Sequence, residues 1–196
     1  NIEGWLTTLP GIRVVVPAFA DDAAGLLRTA VRSRGITLYL EPKFLYNSPL
    51  AKTFVPEGFA VPFGKARLRR AGTDLTVLAY GTPVHWALEA AETLSKEGKE
   101  VEVLDLRCLQ PLDFEAIATS VRKTSRVLIV HEDKVQGGFG GELSARVTSE
   151  LFEYLDAPVE RVGSTFTPVG FNRILERAIL PSTPTVLEMA RKVLSY

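Results

Sequence analysis

The 196-residue chain has one cysteine, two histidines and no surplus of charge, and each scarcity closes off a class of function. Cys108 alone can form neither an internal disulfide nor a cysteine metal cage. His85 and His131 cannot build a metal cluster unaided. Lysine plus arginine equals aspartate plus glutamate at 23 each, so nothing favours a general nucleic-acid or anionic-membrane surface. No apolar run approaches the roughly 20 residues that cross a bilayer. Familiar catalytic glycine motifs are missing too. No serine lies in Gly-x-Ser-x-Gly, no glycine run ends in Gly-Lys-Ser or Gly-Lys-Thr, and Leu143 stands where a dinucleotide fingerprint counted from Gly138 needs glycine. The opening Asn1-Ile-Glu-Gly-Trp5 has no initiator methionine and no signal-peptide regions, and reads as the middle of a longer polypeptide.

What is present is a core: 46% of residues are hydrophobic. Arg13-Val-Val-Val16 reads as a strand, followed by a helix with Asp21 and Asp22 as cap candidates and Ala23, Leu27, Ala30 and Val31 as its apolar stripe. Gly35 stops it and Ile36–Leu40 is a second strand. Four prolines between Pro42 and Pro62 mark an inter-domain linker whose Phe44, Tyr46, Phe54 and Phe59 are expected to pack along a surface. Lys65–Arg69 and Leu75–Tyr80 flank Ala71-Gly-Thr-Asp74, a hairpin signal. Strands at 101–106, 127–130 and 159–162 then alternate with helices begun by Thr82-Pro83, Asp113 and the glycines at 137–141, and two helices close the chain near 171–178 and 184–194. The pattern predicts an α/β fold of three layers: a mainly parallel sheet with helices on both faces, preceded by the tail of a second α/β domain.

Sites in such sheets gather at the carboxyl ends of strands. Tyr80–Thr82, Asp105–Arg107 and His131–Asp133 are the three ends that could share one rim. The glycines after Val127–Val130 could hold a phosphate on the free N–H groups of a helix start, or could merely let helix and sheet pack closely. Cys108 has no activating neighbour, Trp86 beside His85 suits a contact surface, and Arg67, Arg69 and Arg70 read as a solvated basic edge.

Several stretches resemble one family. Gly11–Pro17, Glu41-Pro-Lys-Phe-Leu-Tyr46, Val103–Asp113, His131-Glu followed by Gly138-Phe-Gly-Gly-Glu142, Leu155–Val162, Leu180-Pro181 and the closing Ala190–Tyr196 are similar, in order, to the beta subunit of thiamine-diphosphate-dependent 2-oxoacid dehydrogenases. Glu41–Tyr46 and Gly137-Gly-Phe139 resemble the branched-chain (2-oxoisovalerate) type more than the pyruvate or acetoin type. The resemblance implies a division into the end of a pyrimidine-binding domain (1–47), a linker (48–61) and a transketolase-type C-terminal domain (62–196). It places Asn1 just after the family's His-Ser-Gln tripeptide and the cofactor-activating glutamate further upstream. It therefore implies no catalytic residue in this chain, with thiamine diphosphate and Mg2+ held elsewhere in the parent enzyme. Implied partners are an alpha subunit or fused alpha half, a second beta subunit and the dihydrolipoyl acyltransferase core, in the cytoplasm of a bacterium or the mitochondrial matrix. The family's potassium site falls on Ala30, Val31, Ser33 and Gly35, where the aspartate and asparagine ligands are lost, so a degenerate site is expected. Trp86, His131, Glu132, Gly138, Phe139 and Tyr196 are the implied interface residues. The rival is a free-standing module that binds a nucleotide or phosphate on the turn at 137–141.

Overall fold

Valine- and leucine-rich runs bounded by glycine or charge build the central strands. In the computed structural model, which describes residues 1–196, α1 (Glu3–Leu6), β1 (Arg13–Val15), α2 (Ala20–Arg32) and β2 (Thr37–Tyr39) come first. Two 3-10 turns lead to β3 (Arg67–Arg70), β4 (Leu75–Ala79), α3 (Pro83–Lys96), β5 (Val101–Asp105) and β6 (Cys108–Gln110). α4 (Phe114–Thr124), β7 (Val127–Lys134), α5 (Phe139–Glu150), β8 (Glu160–Ser164), α6 (Arg173–Ile179) and α7 (Thr183–Leu194) follow.

The strands form two sheets, one in the order β2-β1-β6 and one in the order β3-β5-β4-β7-β8. In the larger sheet every pair is parallel except β3 with β5. Alternate residues leave its two faces, as the two-residue period of a strand requires. Val77, Val103, Leu128 and Val130 pack under α3 and α7 with Val84, Ala87, Ala91, Val186 and Val193. Leu78, Leu104, Val127 and Ile129 pack under α4 and α5 with Ile117, Val121, Leu143 and Val147. The expected three layers are there. Asp113 caps α4 by accepting the Ala116 N–H, and Ser182 with Thr185 forms a capping box on α7.

Five local expectations fail. The hairpin at 71–74 does not form, because β5 lies between β3 and β4. The connection instead steps over the start of β5, with the Thr73 and Asp74 N–H groups donating to the Glu100 carbonyl. Only glycine fits at position 72, where a side chain would run into the backbone of Val101 and Glu102. On α2, Leu27 and Val31 of the expected buried stripe face outward, while Asp21, Asp22, Gly25 and Leu26 are buried. Nor do the aspartates cap α2; they lie in its first turn and bind arginines. In the proline-rich segment Phe44, Tyr46 and Phe54 are exposed, and only Phe59 packs, beside Val61 and against Gly25. Finally, Arg67 and Arg69 are not a solvated edge, as the seam between the sheets makes plain.

That seam is both hydrogen-bonded and ionic. β6 pairs antiparallel with β1, Val15 opposite Cys108, so a strand from the second half of the chain completes the smaller sheet. Beside it Asp22, wholly buried, is shared by Arg67, Arg69 and Arg107, with Arg107 Nη1 at 2.7 Å from Oδ1. Arg69 also grips Asp105 through Nε and Nη2 at 3.0 and 2.8 Å and lies 3.9 Å over the Phe19 ring. Arg107, at φ 54°, donates further to the Lys65 and Ala66 carbonyls. Three guanidiniums and three carboxylates, counting Asp21, thus neutralise one another in a site from which mainly Arg67 reaches solvent.

Candidate functional site

The three strand ends expected to share a rim are divided by the fold. Asp105 and Arg107 belong to the seam just described. Tyr80–Thr82 and Glu132 instead line a cleft of ≈ 310 Å³ with Asn1, Glu3, Val16 and Leu40–Phe44. α1 drops Glu3 into this cleft, and the end of β4 supplies Tyr80, whose hydroxyl donates to Glu3 Oε1 at 3.4 Å. The Ile2 N–H donates to Glu3 Oε2 at 3.0 Å. Burial raises the Glu3 carboxyl above its ordinary range, and Asp133 adds to the rise. Burial likewise raises Glu132, and lifts Tyr80 well above the usual phenol. The buried Thr82 hydroxyl faces Glu132 and lowers its carboxyl against the larger effect of burial. Glu3 drew no notice in the sequence because nothing local marks it, and Tyr80 was read only as part of a strand end; the fold alone brings residues 3 and 80 together.

The glycine turn is a packing device. His131, at the heart of β7, has no exposed surface and no partner on either ring nitrogen. A methyl group on Gly140 would stand 2.4 Å from its Nε2, one on Gly138 2.8 Å from its Cε1, and one on Gly163 3.0 Å from the same carbon. The glycines make room for an imidazole beneath the start of α5. Burial holds that imidazole neutral, down to about 4, with Asp133 opposing and Arg161 reinforcing the shift. Nothing here suits thiamine diphosphate with its metal: no three metal-ligating side chains converge, and the glycines at 138 and 140 are turned onto the chain's own side chains.

The implied interface residues also part company. His131, Gly138 and Phe139 are enclosed by the chain's own atoms, Phe139 lying edge-on to Tyr80 with centroids 6.2 Å apart, so they offer a partner almost no area. Glu132 and Trp86 are half-buried, Trp86 packing against the core under α3, and Tyr196 is exposed. His85 bonds the Ala18 carbonyl at 2.8 Å and stacks on Phe19, and Cys108 is buried. At the expected potassium site Ala30 and Ser33 are half-buried while Val31 and Gly35 are exposed. There the Ser33 hydroxyl is spent on the Thr29 carbonyl, and the Arg13 guanidinium bonds the Arg34 carbonyl at 2.8 Å and lies beside Gly35. A fixed positive charge thus sits next to Gly35.

Residues 64–186 match the family model described as "Transketolase, C-terminal domain". The mitochondrial pyruvate dehydrogenase E1 component subunit beta-2 of Oryza sativa subsp. japonica is 41% identical over 190 residues, 96% of this chain and 50% of that protein. The corresponding beta subunit of Saccharomyces cerevisiae is 38% identical over 199 residues, 100% of this chain and 54% of that one. Among solved structures, "Split gene transketolase, inactive beta4 tetramer" superposes with a TM-score of 0.76 at 27% identity, covering 98% of this chain and 60% of that chain. Transketolase from Campylobacter jejuni, at 17% identity and a TM-score of 0.65, shares the fold over 97% of this chain and 27% of its own. The chain spans about half the length of the curated relatives it matches. With the sheet order, the helical layers and the matched span in agreement, the chain belongs to the transketolase C-terminal domain family.

Proposed function

We propose that this chain is the C-terminal part of the beta subunit of a thiamine-diphosphate-dependent 2-oxoacid dehydrogenase, in its decarboxylating component, and that the 2-oxoacid is pyruvate. One observation carries the reading: identity of 41% to a pyruvate dehydrogenase beta subunit over 96% of the chain. Relatives from plants, yeast and a nematode all carry pyruvate in their names, which favours that substrate over the branched-chain acid expected from Glu41–Tyr46 and Gly137–Phe139. The thiamine cofactor of the whole enzyme supplies the electron sink for decarboxylation and acyl transfer to lipoyl groups. The residues of this chain serve assembly. In this reading 1–47 ends the pyrimidine-binding domain, 48–61 links, and 62–196 is the transketolase-type domain. Its partners are an alpha subunit, a second beta subunit and the acyltransferase core, and its compartment is the mitochondrial matrix. Glu132, Trp86 and Tyr196 keep their place as contact candidates.

The test is substrate choice in an assembled enzyme. An alpha–beta enzyme containing these residues should turn over pyruvate with at least about tenfold higher kcat/KM than 2-oxoisovalerate, a modest pocket discrimination. The reverse preference would restore the branched-chain reading. The chain by itself, given cofactor and magnesium, should show no decarboxylation, and measurable turnover would overturn the assembly role.

A further inference from the structure

The segment between β8 and α7 is ordered within itself but buries almost nothing. The Thr165 N–H closes its base by donating to the Ile179 carbonyl at 3.1 Å. Asn172 caps α6 by accepting the Ile174 N–H at 2.8 Å, and Leu175 packs back against Gly170. Yet no residue of α6 is buried, and Phe166, Phe171, Ile174 and Leu175 all stand exposed. Holding an arm in one shape costs chain entropy, and four large apolar side chains left in water do not offset it. Arg173 and Arg177 lie one helical turn apart on α6 and enter none of the molecule's ion pairs. A hollow of matching character adjoins the arm. On the outer side of α3, Phe19, Leu50, Trp86 and Leu88 line a space of ≈ 370 Å³ together with Glu89 and Glu92. Both glutamates are exposed, neither pairs with a cation, and their spacing of three residues puts them on one face of α3. The Thr183 hydroxyl, just past the arm, donates to Glu89 at 2.6 Å, so the hollow lies beside the base of the arm.

We propose that the arm at 165–179 docks into this hollow on a second copy of the chain, while the partner's arm enters this one. Charge complementarity selects that occupant. Two free guanidiniums one turn apart on α6 match two free carboxylates one turn apart on α3, and Phe171 meets the apolar floor between Trp86 and Leu88. A two-fold axis favours an arm that stands beside its own hollow, since one rotation then makes both contacts at once. The area is sufficient as well. At about 200 Å² per phenylalanine, the exposed Phe166 and Phe171 would bury on the order of 350 Å² per arm. Two arms with the surfaces they cover reach about 1,400 Å², inside the range of about 1,200–2,000 Å² for stable complexes. The second copy is the second beta subunit of the function proposed above, and the inference rests on that reading for this identity alone.

Sedimentation equilibrium of the chain at tens of micromolar tests it, and the mass should be twice that of one chain. Substrate choice in the assembled enzyme is a separate measurement, so the two readings fail separately. Phe171→Ala changes a side chain that the monomer leaves in water. It should raise the dimer Kd at least about tenfold and leave the circular dichroism unchanged. Two double variants make the sharper comparison. Arg173→Glu with Arg177→Glu, and Glu89→Arg with Glu92→Arg, should each be monomeric, because like charges then face one another. Mixed in equal amounts they should pair, since each arm again finds a hollow of opposite charge, and pairing shows that both have folded. A monomeric chain would assign the arm to a different partner and overturn the proposal. So would a dimer indifferent to Phe171→Ala, or folded double variants that dimerise alone or stay apart when mixed.

Discussion

The two sheets of this molecule obey different rules. In the five-stranded sheet hydrophobic pattern and burial coincide: Val77 and Leu78 leave opposite faces and both are buried, under different helices. In the three-stranded sheet they part. α2 turns its two aspartates inward and its Leu27 and Val31 outward, and only Val15, Leu26, Val61 and Cys108 form a small core there. A helix buries its apolar stripe only where the chain supplies something apolar to meet it. Here three arginines from β3 and the β5–β6 connection meet α2 instead, and charge pairing overrides periodicity.

The sharpest way to break the comparison is to remove the shared carboxylate. Asp22→Ala leaves Arg107 with a buried charge that no carboxylate pairs, and Arg69 with Asp105 alone, and should lose about 3–5 kcal/mol, measured by urea unfolding. A loss under 1 kcal/mol would mean that the seam is ornamental. Next, truncation should separate the two regions. Leu78→Ala in the larger sheet should cost about 2–5 kcal/mol, and Leu27→Ala on α2 less than about 0.5 kcal/mol, in the same assay. Equal effects would show that the outward face of α2 is buried in solution by self-association.

Acid probes the glycine-lined imidazole. Unfolded His131 takes up a proton near its ordinary 6.5, whereas the folded chain refuses it until about 4. Stability therefore falls as pH drops through that window, by about 3 kcal/mol at most, and His131→Gln should flatten the slope. Asp105, lifted by burial to about 6 against the pull of Arg69, works with the opposite sign between 6 and 3.8, so the contrast between the two proteins is the quantity to read. Gly140→Ala crowds the same ring and should cost about 1–3 kcal/mol without altering the pH slope.

What the sequence made legible follows the same division. The alternation of valine-rich strands with capped helices named the larger sheet, its layers and even the Asp113 cap, because those signals are local and mutually consistent. The seam was hidden. Arg67 and Arg69, two apart on a strand, point to one side, but nothing in their neighbourhood says that residues 21 and 22 await them. The false hairpin had the same origin: Gly72 signals a tight passage, and the sequence does not say that a third strand fills the gap. The cleft joins Glu3 to Tyr80 and Glu132, a pairing that exists only once the fold has formed.

The pairing of β6 with β1 bears on how the protein is made. Val15 waits for Cys108, so while the polypeptide emerges from the ribosome this edge of β1 stays open until β3, β4 and β5 have been synthesised. Contacts so distant in sequence slow folding and leave nascent edges exposed to wrong partners. β1 offers just three residues and the helix after it starts with two aspartates, which limits what an unwanted strand could grip. The last-made part of the seam thus acts as the checkpoint: only a chain that has reached residue 110 can close this edge of β1.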